Sequence, residues 1–282
     1  MWYGKNPGLD RSGDALKHGN YAGTSRHGGV LAVSGDDPGA SSSTIANQCE
    51  QAFSSAMIPV IYPADTGDIL ELGLKGYGLS RYSGLWAGFK LVADVVETTR
   101  SVSLDANSGK IDLPAGDFDA DQVIQRWPDD RWSQDQRLQE TKLPAALEFA
   151  RVNGFNRVVM DAPGRRFGIV AAGKAYLDTR QALDELGVTD AVAVQIGLSV
   201  IKLGFIWPIE PDGMRAFARG LKEIIVVEER RAFIETQIKE LAYNWPASIR
   251  PRIIGKADEN GAPLIPSTGQ TSPSLLAIII GR

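Results

Sequence analysis

The sequence between residues 28 and 44 reads GGVLAVSGDDPGASSST. It opens with an apolar run, from Val30 to Val33, that predicts a buried strand, and it continues into a loop of Gly, Asp, Pro and hydroxyl residues. A buried strand that ends in a polar loop is typical of parallel α/β sheets, where ligands bind at the carboxyl ends of the strands. Ser43 or Thr44 can then cap a helix that runs to about Ala56. This stretch therefore predicts an α/β fold.

The same alternation continues along the first half of the chain. The segment IPVIYPAD, residues 58–65, predicts a short strand, and residues 66–84 carry apolar side chains at helical spacing. Residues 88–104, GFKLVADVVETTRSVSL, predict another helix followed by an edge strand. Residues 105–135 have neither period and are rich in Asp, Gly and Pro, so they predict an irregular surface connection near a domain boundary.

The second half is more regular. Helical patterns near 142–153, 176–186, 212–220 and 232–243 alternate with β-branched runs at 157–160, 168–173, 200–204 and 223–229. Such alternation predicts a doubly wound, mostly parallel sheet. With 282 residues, the chain is long enough for two α/β domains. We expect one domain at 1–135, a linker helix and connecting strand at 136–164, and a second domain at 165–282.

Composition excludes several classes of protein. Hydrophobic residues make up 43% of the chain and no apolar run is long enough to span a membrane. A formal net charge of −4 gives no electrostatic reason to expect nucleic acid. The single cysteine, Cys49, excludes an internal disulfide and a cysteine-ligated cluster built from this chain alone. The N-terminus has no secretory signal pattern, which makes a cytoplasmic location the default expectation.

Two polar segments contain candidate binding residues. The loop after the first predicted strand carries Asp36, Asp37, Ser42 and Ser43, and it could present hydroxyl and backbone N–H groups to a ligand. An ordinary strand-to-helix connection explains the same residues equally well, because Asp-Pro-Gly turns and Ser caps are standard chemistry there.

The other segment is the glycine-rich opening, residues 1–29, which holds both histidines of the chain and has no period long enough to predict a strand or helix. In it, Lys17, His18 and Asn20 could bind a carboxylate or act in acid–base chemistry. A solvated loop end is the alternative. Further along, Glu228 and Glu229 end a predicted strand and could reach a ligand or cap the next helix. No phosphate loop, GxGxxG, HExxH or GxSxG motif is present.

Seven segments, taken in order, resemble the indolepyruvate ferredoxin oxidoreductase family in its long fused bacterial form, of which this chain matches an internal part. They are MWYGKNPGLDRSGD at 1–14, LKHGN at 16–20, the stretch at 28–44, IPVIYPAD at 58–65, LSRYSGLWAGFK at 79–90, KLGFIWPIEPDGMRAF at 202–217 and EIIVVEERRAFIETQIKE at 223–240.

The resemblance implies a thiamine diphosphate enzyme with magnesium and iron–sulfur clusters. Such an enzyme decarboxylates an aryl 2-oxo acid oxidatively, transfers the acyl group to coenzyme A and passes electrons to ferredoxin, and we expect the complete enzyme to be a homodimer. Residues 1–135 would form part of a pyrimidine-binding thiamine fold, and residues 165–282 a transketolase C-terminal-like domain. Lys17, His18, Asn20, Asp36, Asp37, Ser42 and Ser43 would line the substrate and cofactor pocket.

The chain also departs from the family pattern. It lacks the glutamate that contacts the aminopyrimidine, the diphosphate-binding motif and the cysteine-rich cluster segment, so the catalytic residues are unknown and we expect the chain to be inactive alone. A truncation, a gene fragment and a split subunit all stay open. Two further alternatives are a non-catalytic assembly module and an enzyme of the same class that acts on a different 2-oxo acid.

Overall fold

The computed structural model describes residues 1–104, 109–115 and 119–282, which form two compact units. Unit 1 comprises residues 1–36, 48–155 and 205–208, and unit 2 comprises residues 37–47, 156–204 and 209–282. Within the described residues, no helix combines the length and apolar character that crossing a membrane requires.

The described strands are short, as expected for parallel α/β sheets. They are β1 (Trp2–Lys5), β2 (Leu31–Asp36), β3 (Val60–Ile61), β4 (Ala87–Val92), β5 (Asn156–Met160), β6 (Phe167–Ala172), β7 (Leu198–Leu203), β8 (Phe205–Trp207), β9 (Glu223–Val227) and β10 (Arg252–Ile254). The described α-helices are α1 (Asn6–Arg11), α2 (Gly13–Ala22), α3 (Glu50–Ser55), α4 (Thr66–Ser83), α5 (Ala93–Val96), α6 (Arg131–Arg137), α7 (Leu143–Val152), α8 (Gly173–Glu185), α9 (Asp190–Ile196), α10 (Pro211–Ala218), α11 (Ile234–Tyr243) and α12 (Pro273–Ile280). A 3-10 turn covers Ala120–Gln122, and a π-helical turn, Leu138–Lys142, joins α6 to α7.

Unit 1 contains a five-stranded sheet in the order β1-β2-β4-β3-β8. Its strands are parallel except for β8, which runs antiparallel to β3. The core includes three phenylalanine rings that pack one against the next. The ring centroid of Phe155 lies 6.3 Å from that of Phe149 and 5.9 Å from that of Phe205. Because Phe149 and Phe205 come from α7 and β8, these later segments are part of the first unit.

Unit 2 contains a second five-stranded sheet in the order β10-β9-β6-β7-β5, with only β5 antiparallel to its neighbour. The central strand β6 is buried along most of its length, which is why it reads as the continuous apolar run FGIVAA. Its core packs α8 and α12 against the sheet. The two mostly parallel sheets confirm the predicted fold class.

The unit limits differ from the predicted domain limits. The predicted linker at 136–164 is divided, because α7 packs in the aromatic core of unit 1 whereas β5 pairs with β7 in unit 2. The predicted irregular connection at 105–135 contains the start of α6, and its residues 105–108 and 116–118 lie outside the described residues.

Three local predictions were wrong. The opening segment forms β1, α1 and α2, whose short lengths hide their periods. Residues 88–92, which were predicted to begin a helix, belong to β4, a strand that pairs with β2 and β3. The charged Lys90 can lie inside this strand because it forms ion pairs with Asp36 and Glu50. The helix predicted from Ser43 or Thr44 begins only at Glu50, after a loop that is stabilised by Asp37.

Candidate functional site

A buried ionic cluster lies in the sheet of unit 1. The ammonium of Lys90, in the middle of β4, is 3.0 Å from Asp36 Oδ2 and 2.7 Å from Glu50 Oε1. It also lies 4.6 Å from the centre of the Tyr62 ring. Lys90 is only 2% exposed, and both carboxylates are buried. We call Asp36, Cys49, Glu50, Tyr62 and Lys90 the Lys90 cluster.

Sheet register explains why these side chains meet. Lys90 pairs with Ser34 of β2, and Asp36 lies two residues further along β2, so its side chain points to the same face as that of Ser34. Glu50 is the first residue of α3, and the backbone N–H of Cys49 donates to Asp36 Oδ2 at 3.3 Å. The cluster therefore joins the end of one strand to the start of the next helix.

Opposite charges in this cluster determine the protonation of Lys90 and Cys49. Burial alone would lower the pKa of Lys90, but the carboxylates of Glu50 and Asp36 outweigh it and raise that pKa well above its ordinary value. Burial, together with the same two carboxylates, raises the pKa of the Cys49 thiol well above its ordinary value. Lys90 is therefore a permanent cation, and Cys49 is an uncharged thiol at neutral pH.

We tested whether the cluster fits a metal-bound diphosphate. Asp36, Cys49 and Glu50 each place one possible ligand atom within 4.8 Å of the others, which is close enough to surround an ion. However, the ammonium of Lys90 already lies within hydrogen-bonding distance of both carboxylates, and the third possible ligand is the thiol of Cys49, whereas magnesium favours oxygen ligands. The described residues of this cluster do not fit a magnesium ion or the diphosphate that it would carry.

Hydrogen bonds to Asp37, its first residue, stabilise the predicted ligand loop, residues 37–47. The carboxylate of Asp37 accepts the backbone N–H groups of Ser41 at 2.8 Å and Ser42 at 2.9 Å, and its carbonyl accepts that of Asn47 at 3.0 Å. Although burial raises the pKa of Asp37, the hydrogen bonds from Ser42, Ser41 and Ser43 lower it overall. The N–H groups of Ser41 and Ser42 are thus used within the loop, while the side chain of Ser42 faces solvent.

The three polar residues of α2 divide into two kinds. Lys17 and His18 lie on the exposed side of the helix, with His18 Nε2 3.7 Å from Asp14. Asn20 is completely buried, donates to the carbonyls of Ala56 and Met57, and accepts from the N–H of Trp86 at 2.9 Å. Asn20 therefore holds α2 against two neighbouring segments, and a ligand-binding role for Lys17 and His18 stays a prediction.

A second buried carboxylate lies in unit 2. Glu228, directly after β9, accepts the backbone N–H groups of Phe233, Ile234 and Glu235 at 2.9–3.1 Å. Burial raises the pKa of Glu228 to about 7 in spite of these hydrogen bonds. Lys256 Nζ donates to the Glu228 carbonyl at 2.5 Å and to that of Pro266 at 3.2 Å. We call Glu228, Glu235 and Lys256 the Glu228 cluster; its first member caps α11, one of the two alternatives that the sequence left open.

Sequence reasoning missed Lys90, Cys49 and Glu50. The available indication was a single charge inside the run AGFKLV, which otherwise reads as a buried parallel strand. A lysine in such a run needs a carboxylate partner, but the partners stand 40 and 54 positions away in the sequence.

Comparisons with known proteins agree with this architecture. Residues 156–273 match the family model described as the indolepyruvate ferredoxin oxidoreductase middle domain. Over 261 residues the chain is 26% identical to indolepyruvate oxidoreductase subunit IorA of Methanothermobacter thermautotrophicus, a match that covers 90% of this chain and 39% of the relative. The subunit IorA of Pyrococcus abyssi is 26% identical over 257 residues, which cover 85% of this chain and 36% of the relative. The chain thus spans about two fifths of the length of these relatives.

A solved structure gives the same result for the fold. The 2-oxoglutarate:ferredoxin oxidoreductase from Magnetococcus marinus, determined with 2-oxoglutarate, coenzyme A and succinyl-CoA bound, superposes with a TM-score of 0.61 at 13% identity. The superposition covers 99% of this chain and 52% of that chain. With the family model on residues 156–273 and IorA relatives that match across both units, the chain is similar to the indolepyruvate ferredoxin oxidoreductase family in both of its units.

Proposed function

We propose that the chain is part of a thiamine diphosphate-dependent 2-oxo acid:ferredoxin oxidoreductase, and that its substrate is indolepyruvate. In that reaction the 2-oxo acid is oxidatively decarboxylated, coenzyme A receives the acyl group and ferredoxin receives the electrons. The observation that carries the proposal is the match to IorA subunits over 85–90% of the chain, which includes both units. A cytoplasmic location belongs to the same proposal.

The chain would supply only some of the parts that this reaction needs. The Lys90 cluster does not fit magnesium diphosphate, since its carboxylates already bind the ammonium of Lys90 and its third possible ligand is a thiol. Thiamine diphosphate, when bound, would supply the carbanion chemistry, and we place its diphosphate and the iron–sulfur clusters on other parts of the enzyme. Lys17 and His18, which are exposed on α2, are our candidates for contact with the 2-oxo acid carboxylate. We expect the chain alone to be inactive.

The test is a reconstitution. The purified chain is mixed with partner polypeptides that carry the diphosphate-binding domain and the iron–sulfur clusters, and the reduction of a viologen dye is followed with indolepyruvate, pyruvate or a branched-chain 2-oxo acid. We expect reduction that requires coenzyme A and is fastest with indolepyruvate. Lys17→Met should raise KM for the 2-oxo acid, whereas Lys222→Met, which removes an exposed lysine of unit 2, should not.

Other outcomes would change the proposal. Faster reduction with another 2-oxo acid would replace the substrate and keep the class of enzyme. A complete set of partners that is active without this chain, and gains nothing from it, would contradict a part in catalysis.

A non-catalytic assembly module is the second candidate. The observation in its favour is β1, which is the end strand of the unit 1 sheet and has Tyr3 77% exposed. An end strand can pair with another chain through its outer edge. Light scattering of the chain with and without its partners would test this candidate. A stable complex that dissociates in the Tyr3→Lys variant would favour it, provided that the chain has no effect on turnover.

A further inference from the structure

Residues 37–47 leave unit 1 and return to it between two members of the Lys90 cluster. Asp36 is the last residue of β2, and Glu50 begins α3 after the excursion. Both carboxylates bind the same ammonium, and the N–H of Cys49 donates to Asp36 Oδ2. We call Asp36 and residues 48–50 the stem of the loop. We propose that Lys90 is a positioning residue that holds the two sides of this stem together and thereby fixes the loop 37–47.

Without Lys90, the stem would hold two buried carboxylates and lose the ammonium that binds both of them. Asp36 and Glu50 offer oxygen atoms within 4.8 Å of each other, in a region where both residues are buried. Two buried carboxylates at that separation repel each other strongly unless a cation or a proton lies between them. The ammonium of Lys90 is therefore what allows the strand end and the helix start to approach.

The loop 37–47 closes on its own first residue. Its own closure depends on Asp37, whose carbonyl and carboxylate together accept N–H groups from Asn47, Ser41 and Ser42. Asp37 directly follows Asp36, so a shift of the stem displaces the residue on which the loop closes. The loop also packs closely within unit 2, since a Cβ added to Gly39 would lie 3.0 Å from Gln270 Oε1.

A pH profile distinguishes charge balance from simple packing. The groups that face Lys90 are Asp36 from β2, Glu50 and Cys49 from α3 and its N-cap, and Tyr62 after β3. In Lys90→Met, the two carboxylates lose their cation, and one of them can take up a proton instead. The stem of this variant should then be open at pH 8 and closed again at pH 5. A role in packing alone would give the same result at both values.

Cys49 offers a direct measurement, because it is the single cysteine of the chain and is completely buried in the stem. The full-length chain is treated with 4,4′-dithiodipyridine, which reacts with thiols in acid as well as in neutral buffer. In Lys90→Met at pH 8 we expect Cys49 to be labelled at least about tenfold faster than in the wild type. This factor corresponds to a tenfold larger equilibrium constant for local opening of the stem. Peptides covering 37–49 should exchange amide hydrogen faster, whereas those of α7 in the same unit should change less.

The matched control is Lys75→Met. Lys75 is another buried lysine of unit 1, and it donates to Glu71 and to the Asn153 carbonyl, neither of which belongs to the stem. Its removal should not speed labelling of Cys49 relative to exchange in α7. Glu50→Gln, which keeps the side-chain shape and one of the two ion pairs, should speed labelling by a smaller factor than Lys90→Met.

Several results would overturn the inference. They are unchanged Cys49 labelling in a folded Lys90→Met chain, equal acceleration by Lys75→Met, or no recovery at pH 5. If Lys90→Met does not fold, unchanged labelling in Glu50→Gln overturns it. That the fixed loop contacts a 2-oxo acid or thiamine rests on the proposed function, but labelling and exchange need no activity, so the two can fail separately.

Discussion

The Lys90 cluster and the Glu228 cluster both stabilise buried carboxylates, but with different partners. Each places a buried carboxylate just where a strand of a parallel sheet ends and the chain continues toward a helix. In unit 1 the carboxylates are neutralised by a lysine ammonium at 2.7 and 3.0 Å. In unit 2 the carboxylate of Glu228 is held by three backbone N–H groups at the start of α11, while Lys256 binds carbonyl oxygens.

The difference shows which partner fixes the charge of a buried group. The full negative charges of Glu50 and Asp36 outweigh the desolvation of Lys90, so that the pKa of Lys90 lies well above its ordinary value. Peptide dipoles compensate only part of the desolvation of Glu228, so that its pKa rises to about 7. Hence unit 1 holds a lysine that stays charged at neutral pH, whereas unit 2 holds a carboxyl group that changes its charge near neutral pH.

Removal of Lys90 should have the largest effect on stability. Lys90→Met leaves two buried carboxylates uncompensated, and the loss of one partner from a buried ion pair costs about 3–5 kcal/mol. Urea unfolding at pH 7.5 can follow unit 1 by tryptophan fluorescence, because five of the six tryptophans lie in it. We expect the urea concentration at the midpoint of unfolding to be clearly lower for Lys90→Met than for the wild type. This difference between the two chains should become smaller toward pH 5.

Lys75→Met again provides the comparison. Its partner Glu71 has a side chain that is 31% exposed, so water can solvate the carboxylate that remains. The cost should therefore be smaller than for Lys90→Met and nearly independent of pH. Equal losses for the two variants would mean that burial of the carboxylates does not decide the cost.

The carboxyl group of Glu228 should give a pH-dependent difference. Its pKa is about 7 in the folded chain against an ordinary 4.5, so the folded state holds a proton that the unfolded state has lost between these values. The stability that Glu228 contributes is complete below pH 4.5 and is lost as pH rises through 7. Relative to the wild type, Glu228→Gln should gain about 3 kcal/mol between pH 4.5 and pH 8.

Amide exchange in β6 and β9 measures this change within unit 2. The charged groups around Glu228 are Lys256, Glu229 and Glu235, and a change of their pKa values would also contribute to the slope. The variant Glu235→Gln, which removes a neighbouring carboxylate and keeps Glu228, serves as control. If wild type and Glu228→Gln show parallel pH profiles, the carboxyl of Glu228 does not titrate near neutrality.

Lys142 extends the comparison to a buried lysine with a single weak hydrogen bond. Its Nζ donates to the Tyr21 carbonyl at 3.3 Å, and burial together with Arg137 lowers its pKa from 10.5 to about 8. The folded state therefore disfavours the ammonium, and wild-type stability should rise with pH between 8 and 10.5. Lys142→Met should stabilise unit 1 by about 1–2 kcal/mol at pH 6.5, and this advantage should fade above pH 8. If Lys142→Met is less stable than the wild type at pH 6.5, the buried ammonium of Lys142 is not destabilising, and the predicted contrast with Lys90 is wrong.

The sequence reveals the sheets better than it reveals either cluster. The runs FGIVAA and EIIVV have the β-branched, uninterrupted character of buried parallel strands, and both are strands. The cap of α11 is local as well, since Glu228 lies only five to seven residues before the N–H groups that it accepts. Patterns of this range depend on neighbours in the sequence, which is why they can be inferred without coordinates.

Longer-range features could not be inferred in that way. The segment that contains Lys90 was predicted to be a helix; its carboxylate partners are far away in the sequence, and the pairing of β2 with β4 brings Asp36 close to Lys90. The strand β8 has only three residues, and it pairs with β3, which lies more than 140 positions earlier in the sequence. Asn20 was predicted to meet a ligand, but its amide is used on carbonyls that follow α3. In each case the partner, not the residue, decides the role.

The smallest expected effect belongs to Asp37, the closing residue of the loop. Asp37→Asn keeps the shape of the side chain but weakens acceptance of the Ser41 and Ser42 N–H groups, a change comparable to the loss of a helix cap, about 1 kcal/mol. Because the folded pKa of Asp37 is lowered, its contribution is present above the ordinary pKa of 3.8 and is lost as pH falls through the folded value. The loss should appear in amide exchange of 37–47 at pH 7 but not in Cys49 labelling, because Asp37 lies outside the Lys90 cluster. Faster labelling of Cys49 in Asp37→Asn would show that the loop holds the stem, the reverse of the order inferred from Lys90.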